Sequence, residues 1–154
     1  MRKMRLRLII TYFLCAFGIF SNYELTAQNE ETTRILFVFD GSQSMYGQWE
    51  GETKLKIATR LLNQLVDSLK SSDNIELALR AFGHQDPVLQ GDRNCQDTKL
   101  EVPFSKDNHD KIKEKFNAIR PKGTTLIAYS LQKSAGDFTP CSNCKNVIIL
   151  ITDG

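Results

Sequence analysis

Ile35-Leu36-Phe37-Val38-Phe39-Asp40-Gly41-Ser42-Gln43-Ser44 runs from five apolar, β-forming residues directly into an aspartate, a glycine and two serines. A short unbroken apolar run of this kind suits a strand buried on both faces, and Asp40-Gly41 is the loop signal that ends it. The pattern returns at Val147-Ile148-Ile149-Leu150-Ile151-Thr152-Asp153-Gly154, where a second wholly apolar strand also runs out into aspartate and glycine. Two such strands separated by helical segments predict a sheet with a layer of helices on its faces, and in sheets of that class ligands sit at the carboxyl ends of the strands.

The segments between them carry the expected alternation. Thr53 is a candidate N-cap, and Ala58, Leu61, Leu62, Leu65, Val66 and Leu69 recur at three- and four-residue steps, which predicts an amphipathic helix with a wide apolar stripe. Ile75 to Phe82 reads as a strand closed by Gly83. His84 to Lys99 is a polar excursion at the sheet edge containing Pro87, Gly91 and Cys95, followed by a short strand at Leu100-Glu101-Val102 that Pro103 should stop. Ile112, Phe116 and Ile119 mark a helical face ending before Pro121, and Ile127, Leu131, Ala135 and Phe138 mark another ending before Pro140. The expectation is α/β: a Rossmann-like three-layer sandwich with a mainly parallel central sheet.

The first residues stand apart. Arg2, Lys3, Arg5 and Arg7 precede the uncharged run Leu8 to Phe20, and Ala27 follows a short polar stretch, the layout of a secretory signal peptide over residues 1–27. The run has 13 residues, short of the roughly 20 that span a bilayer, so the mature chain is expected to hold no membrane span. Residues 28–33 read as a short linker and 34–154 as one domain. Without residues 1–27, 20 Lys and Arg against 18 Asp and Glu becomes 16 against 17, so the basic balance belongs to the leader. No basic patch interleaved with aromatics remains, which argues against a nucleic-acid partner.

Cys95, Cys141 and Cys144 are left in an exported chain, where disulfides are the first reading. The odd number leaves one thiol unpaired unless a further cysteine lies beyond Gly154. The rival reading joins Cys141, Cys144, Cys95 and His84 in a zinc site, although a single CxxC is weak evidence for one. His84 is otherwise a loop histidine and His109 belongs to a solvated helix face. Tyr46 and Trp49, just past the first loop, either flank a ligand surface or plug the first helix.

Asp40, Ser42 and Ser44 set one carboxylate and two hydroxyls on a single loop, a donor set for a hard cation. Magnesium in particular is held by few carboxylates, with water or ligand completing its octahedron. If Asp40 and Asp153 act wholly or partly through water, the ion keeps much of its charge and an acidic group from a partner can take an open position. Taken alone, DxSxS also occurs as a serine-rich turn that bonds its own backbone. The wider context resembles the von Willebrand factor type A (VWA) family. In that family a metal-ion-dependent adhesion site combines DxSxS after the first strand, a threonine in a later loop and an aspartate after the fourth core strand. Asp40, Ser42 and Ser44 match the first element, Pro121-Lys122-Gly123-Thr124-Thr125 resembles the threonine loop with Thr125 as ligand and Thr124 as the alternative, and Asp153 matches the last.

The resemblance extends from about Arg34 to Gly154 and implies a metal set of Asp40, Ser42, Ser44, Thr125 and Asp153. It further implies Mg2+ or Mn2+ as the ion and a non-catalytic, exported (periplasmic, cell-surface or secreted) adhesion module of bacterial type. The partner would be a protein or peptide with an acidic side chain. The family continues past this aspartate with further helices and strand, so the domain is expected to be incomplete. Two other functions compete. One is a metal-dependent phosphoryl hydrolase in which Asp40 attacks and Asp153 holds the ion, but Ser42 and Ser44 stand where a second acid would be needed. The other is a metal-free structural turn.

Overall fold

The computed structural model of the chain describes residues 30–88 and 95–154, so the expected signal peptide and Gly91 lie outside the described residues. The elements are β1 (Thr32–Asp40), a 3-10 turn (Gln43–Tyr46), a small hairpin of β2 (Gln48–Trp49) and β3 (Glu52–Thr53), α1 (Lys54–Ser68), β4 (Ile75–Phe82), β5 (Thr98–Ser105), α2 (His109–Ala118), α3 (Ile127–Ala135) and β6 (Cys144–Ile151). The main sheet has the order β5-β4-β1-β6, with β4 and β6 parallel to β1 and β5 antiparallel on the outer side of β4. β1 starts at Thr32, inside the stretch read as linker.

β1 is central because it can be buried on both faces. Ile35, Phe37 and Phe39 point to one side, against Leu62 and Val66 of α1 and Ile112 and Phe116 of α2. Leu36 and Val38 point to the other, into the cluster that Leu126, Ile127 and Phe138 join around α3. The strand period of two thus sorts one apolar run into two cores and makes the three-layer sandwich. The Phe116 ring is shared between Phe37 and Phe39, 5.8 and 5.5 Å away, and fixes α2 on the sheet.

Four expectations need correction. Thr53 caps α1 by accepting from the Lys56 N–H at 3.2 Å, but the stripe of this helix is narrower than its periodicity implied. Leu62 and Val66 are buried while Leu61 is 56% exposed, because α1 overhangs β6, the last strand of the sheet among the described residues. β6 is covered on one face only. Val147, Ile149 and Ile151 pack into the α1 core, whereas Ile148 is 40% exposed because α3 lies over β4, β1 and β5. β5 does not stop at Pro103. It runs to Ser105 with an irregular register opposite Leu77 to Leu79, and an edge strand tolerates a residue with no N–H there. The Asn108 amide bridges the irregularity by donating to the Leu77 and Pro103 carbonyls. His109, finally, is half-buried with Nε2 enclosed and unpartnered rather than solvated.

α3 packs through small residues: Ser130 and Ser134 are its buried positions, while Ala135 of the expected stripe is exposed. The segment that follows is therefore held largely by charge. Arg80, buried on the α3 side of β4, makes a fork with Asp137, Nε and Nη2 each 2.7 Å from a carboxylate oxygen. Arg34 sits 4.5 Å over the Phe104 ring, donates to Thr139 and pairs with Glu76 at 3.2 Å. Beyond it, Cys141 and Cys144 form a disulfide leading into β6, and Cys95 is free and exposed. The zinc alternative is not assembled. Cys144 pairs with Thr32 at the start of the parallel strands, His84 follows their other end, and among the described residues no three His, Cys, Asp or Glu side chains group to hold a metal.

Arg80→Met should cost about 3–5 kcal/mol in urea unfolding, since it leaves Asp137 buried and unpaired. The Arg80→Met/Asp137→Leu double variant should recover a large part of that loss.

Candidate metal centre

β1 and β6 end on the same edge of the sheet, and that edge gathers the expected residues. Asp40 is the last residue of β1, and Asp153 lies two residues past β6. Three loops meet there through backbone hydrogen bonds. The Gly41 N–H donates to the Phe82 carbonyl at 2.7 Å, Lys122 N–H to Gly41 at 3.1 Å, Gly123 N–H to Gly83 at 2.7 Å and Gln43 N–H to Gly123 at 3.1 Å. The approach is too close for side chains at two points. A Cβ on Gly41 would lie 2.7 Å from that of His84, and one on Gly83, whose φ is +67°, would lie 2.6 Å from the Thr124 carbonyl.

The side chains form one continuous hydrogen-bonded chain. Asp40 is 0% exposed, and its Oδ1 accepts from the Ser42 N–H at 2.8 Å while Oδ2 accepts from the Thr152 hydroxyl at 2.7 Å. The Ser42 hydroxyl is 3.0 Å from that of Ser44 and accepts from Thr125 at 3.0 Å. Ser44 donates to Asp153 Oδ1 at 2.7 Å, and Lys54 donates to Asp153 Oδ2 at 2.7 Å. All five residues singled out in the sequence are brought together, and it is the Thr125 hydroxyl, in preference to Thr124, that reaches the serines. Around Asp153, burial pushes the carboxyl up, but the Lys54 and Ser44 hydrogen bonds outweigh it and hold the group below the usual carboxylate range.

This donor set fits a hard cation in kind. Ligands 2.0–2.1 Å from magnesium at adjacent octahedral corners are about 2.9 Å apart, close to the 3.0 Å hydroxyl spacings of Ser42–Ser44 and Ser42–Thr125. Asp40, moreover, has only neutral donors: among the described residues no Lys, Arg or His pairs with it. A fully buried carboxylate with no cation is costly.

Sequence reading missed two members. Thr152 orients Asp40 from the end of the neighbouring parallel strand, and its place between an apolar strand and Asp153 was the only signal. Lys54, the first residue of α1, carries no sequence signal of its own beside the cap Thr53. Of the two aromatics after the loop, Trp49 is 61% exposed and Tyr46 is also exposed, so neither is a plug; Met45 fills that position in the core.

Beside the centre, behind Gly41, His84 Nε2 lies 3.1 Å from Glu101, which also pairs with Lys99 at 3.0 Å and Lys115 at 3.3 Å. Burial raises the Glu101 carboxyl, and the bonds from Lys99, His84 and Lys115 overcome this and bring it down to about 2.

A sheet-and-helix sandwich carrying this edge defines a class, and the comparisons agree. The chain is a member of the von Willebrand factor type A domain family, whose domain matches residues 35–154. It is 30% identical over 131 residues to the uncharacterized protein YwmD of Bacillus subtilis, covering 83% of this chain and 58% of that protein. Among solved structures it is similar to BatB of Bacteroides thetaiotaomicron (24% identity, TM-score 0.60, 77% of this chain and 52% of that one). It is also similar to the vWF domain of the type V pili tip protein Mfa5 of Porphyromonas gingivalis (21% identity, TM-score 0.64, 81% and 38%). The last two likenesses concern the fold, and the chain spans little more than half the length of YwmD and BatB.

Gly83→Ala should destabilise the chain by about 1–3 kcal/mol through forced φ alone, and more through the clash with Thr124, as read from the urea midpoint. Glu101 gives a pH signature. Its folded value lies below the ordinary 4.5, so its contribution is fully present above pH 4.5 and is lost as pH falls through about 2. Glu101→Gln should lower stability at neutral pH and flatten the acid limb of the stability profile in that window.

Proposed function

We propose that the chain is an exported, non-catalytic binding module. It would engage an acidic group of a protein or peptide partner through a divalent ion, Mg2+ or Mn2+, held by Asp40, Ser42, Ser44, Thr125 and Asp153. The observation that carries this reading is the Asp40 carboxylate, fully buried, bonded on both oxygens and without a cation of its own, facing a cluster of neutral hydroxyls. An ion held there, with Asp40 and Asp153 acting wholly or partly through water, would supply Lewis acidity toward an anionic ligand, because the hydroxyl ligands neutralise none of its charge. The exposed Tyr46 and Trp49 beside the loop offer contact area to the flanks of such a partner.

Family membership supports a binding role, as does the likeness of fold to the domain of a pili tip protein. An exported location is supported by the leader-like residues 1–27. The hydrolase reading draws no support from the geometry: Asp40 has no exposed surface and both its oxygens are engaged, which is the wrong state for a nucleophile.

Titrating MgCl2 or MnCl2 into the chain in a calorimeter should show one saturable site. The Ser42→Ala/Ser44→Ala variant should lose it while melting normally. Equal heats from the variant, or no binding by folded wild-type protein, would overturn the metal reading. Turnover of a generic phosphate ester that Asp40→Asn abolishes would overturn the non-catalytic one.

A further inference from the structure

Lys54 is the one cationic side chain that the described structure pairs with the centre. Its position is not one that helix chemistry favours. It opens α1, where the partial positive charge of the helix N-terminus disfavours another cation. Two local features nevertheless hold its ammonium in place. The Lys54 N–H donates to the Gly47 carbonyl at 2.9 Å, tying the helix start to the turn after the serine loop. Gly47 also flanks the side chain, since a Cβ there would lie in ordinary van der Waals contact with Lys54 Cε and Nζ, at 3.5 and 3.7 Å, while meeting the Ser44 carbonyl at 2.9 Å. The stem lies in a groove of about 420 Å³ that Met45, Trp49, Ile57 and Ile151 also line, with Asp153 at its polar end. There Nζ meets Oδ2 of Asp153 at 2.7 Å, while Oδ1 stays turned toward Ser44 and the hydroxyl cluster.

We propose that Lys54 is a tethered cation that occupies Asp153 in the metal-free centre and competes with the divalent ion, so that it sets the affinity of the site downward while keeping the empty site ordered. The inference rests on the metal reading above. Its physical basis is that Asp153 is shared: one oxygen faces the hydroxyls and the other carries a fixed positive charge. An ion entering among the hydroxyls meets repulsion from that ammonium in a partly buried setting where screening is weak. Without an ion, the same ammonium is the nearby positive charge that Asp153 would otherwise lack.

The test is Lys54→Met, which keeps the stem in the groove and removes the charge, with Lys54→Arg as the charge-retaining control. Two readouts are used, calorimetric Mg2+ titration and thermal melting with and without saturating MgCl2. Lys54→Met should bind Mg2+ about tenfold more tightly than wild type, equivalent to 1.4 kcal/mol. It should melt lower than wild type without metal and gain more from saturating MgCl2. Lys54→Arg should stay close to wild type in both. Unchanged or weaker affinity in a folded Lys54→Met protein would overturn the proposal, as would an equal loss of melting temperature with and without metal, which is the signature of a merely structural tether. Absence of saturable Mg2+ binding in both wild type and Lys54→Met would instead bring down the metal reading itself.

Discussion

The Asp40 carboxylate has no contact with solvent, and much of the arrangement around it follows from holding it there. It is buried because β1 is flanked on both sides and covered on both faces, so its last residue emerges under neighbouring loops instead of into water. A charge so placed needs a hydrogen-bond donor at each of its oxygens. The Ser42 N–H and the Thr152 hydroxyl meet that need from two different loops, and this ties the ends of β1 and β6 together independently of the strand pairing. Gly41, Gly83 and Gly123 matter for the same reason: the loops must come within backbone hydrogen-bond range of one another.

The two ends of the sheet are stabilised by different means. At the starting end lie the Arg34 stack on Phe104, its bonds to Thr139 and the Cys141–Cys144 bridge, all of them interactions that satisfy themselves. The Arg80–Asp137 fork anchors the segment just after α3 in the same manner. At the other end the hydroxyls of Ser42, Ser44 and Thr125 bond to one another and, through Ser44, to Asp153, so the contacts among the hydroxyls are neutral and the Lys54–Asp153 pair is the charged contact beside them. Rigidity is thus concentrated away from the edge where exchange of partners is cheap, which matches the rule that sites sit on loops positioned by a firm scaffold.

The central strand, the alternation of layers and the place of Asp40, Ser42, Ser44 and Asp153 at strand ends were legible in the sequence because each depends on a local pattern, an apolar run, a helical period or a motif at a strand end, whereas Thr125 and the joining of all five came from the family resemblance. What was not legible depended on neighbours. The apolar run of β6 is the same whether the strand is central or at an edge, so Ile148 read as buried. Pro103 read as a stop because its tolerance requires knowing that β5 is an edge strand. Ser130 and Ser134 gave no apolar signal although they face inward, since their part in packing is to be small, with the Ser134 hydroxyl bonded to the Ser130 carbonyl. Lys54 and Thr152 each act on a residue about a hundred positions away in sequence, a relation that no window of sequence contains.

The composition of the centre also argues for binding over chemistry. An enzyme that transfers phosphoryl groups needs an accessible carboxylate to attack and a second group to move a proton. Here one carboxylate is sealed and doubly bonded, the other is engaged by Ser44 and Lys54, and His84 is committed to Glu101 behind the loop. What remains facing outward is the pair of exposed residues Ser44 and Thr125, both bonded to the buried Ser42 hydroxyl. On the proposed reading a cation held there would direct positive character at whatever approaches from solvent, and an anionic side chain flanked by enough surface to meet Tyr46 and Trp49 would be its complement.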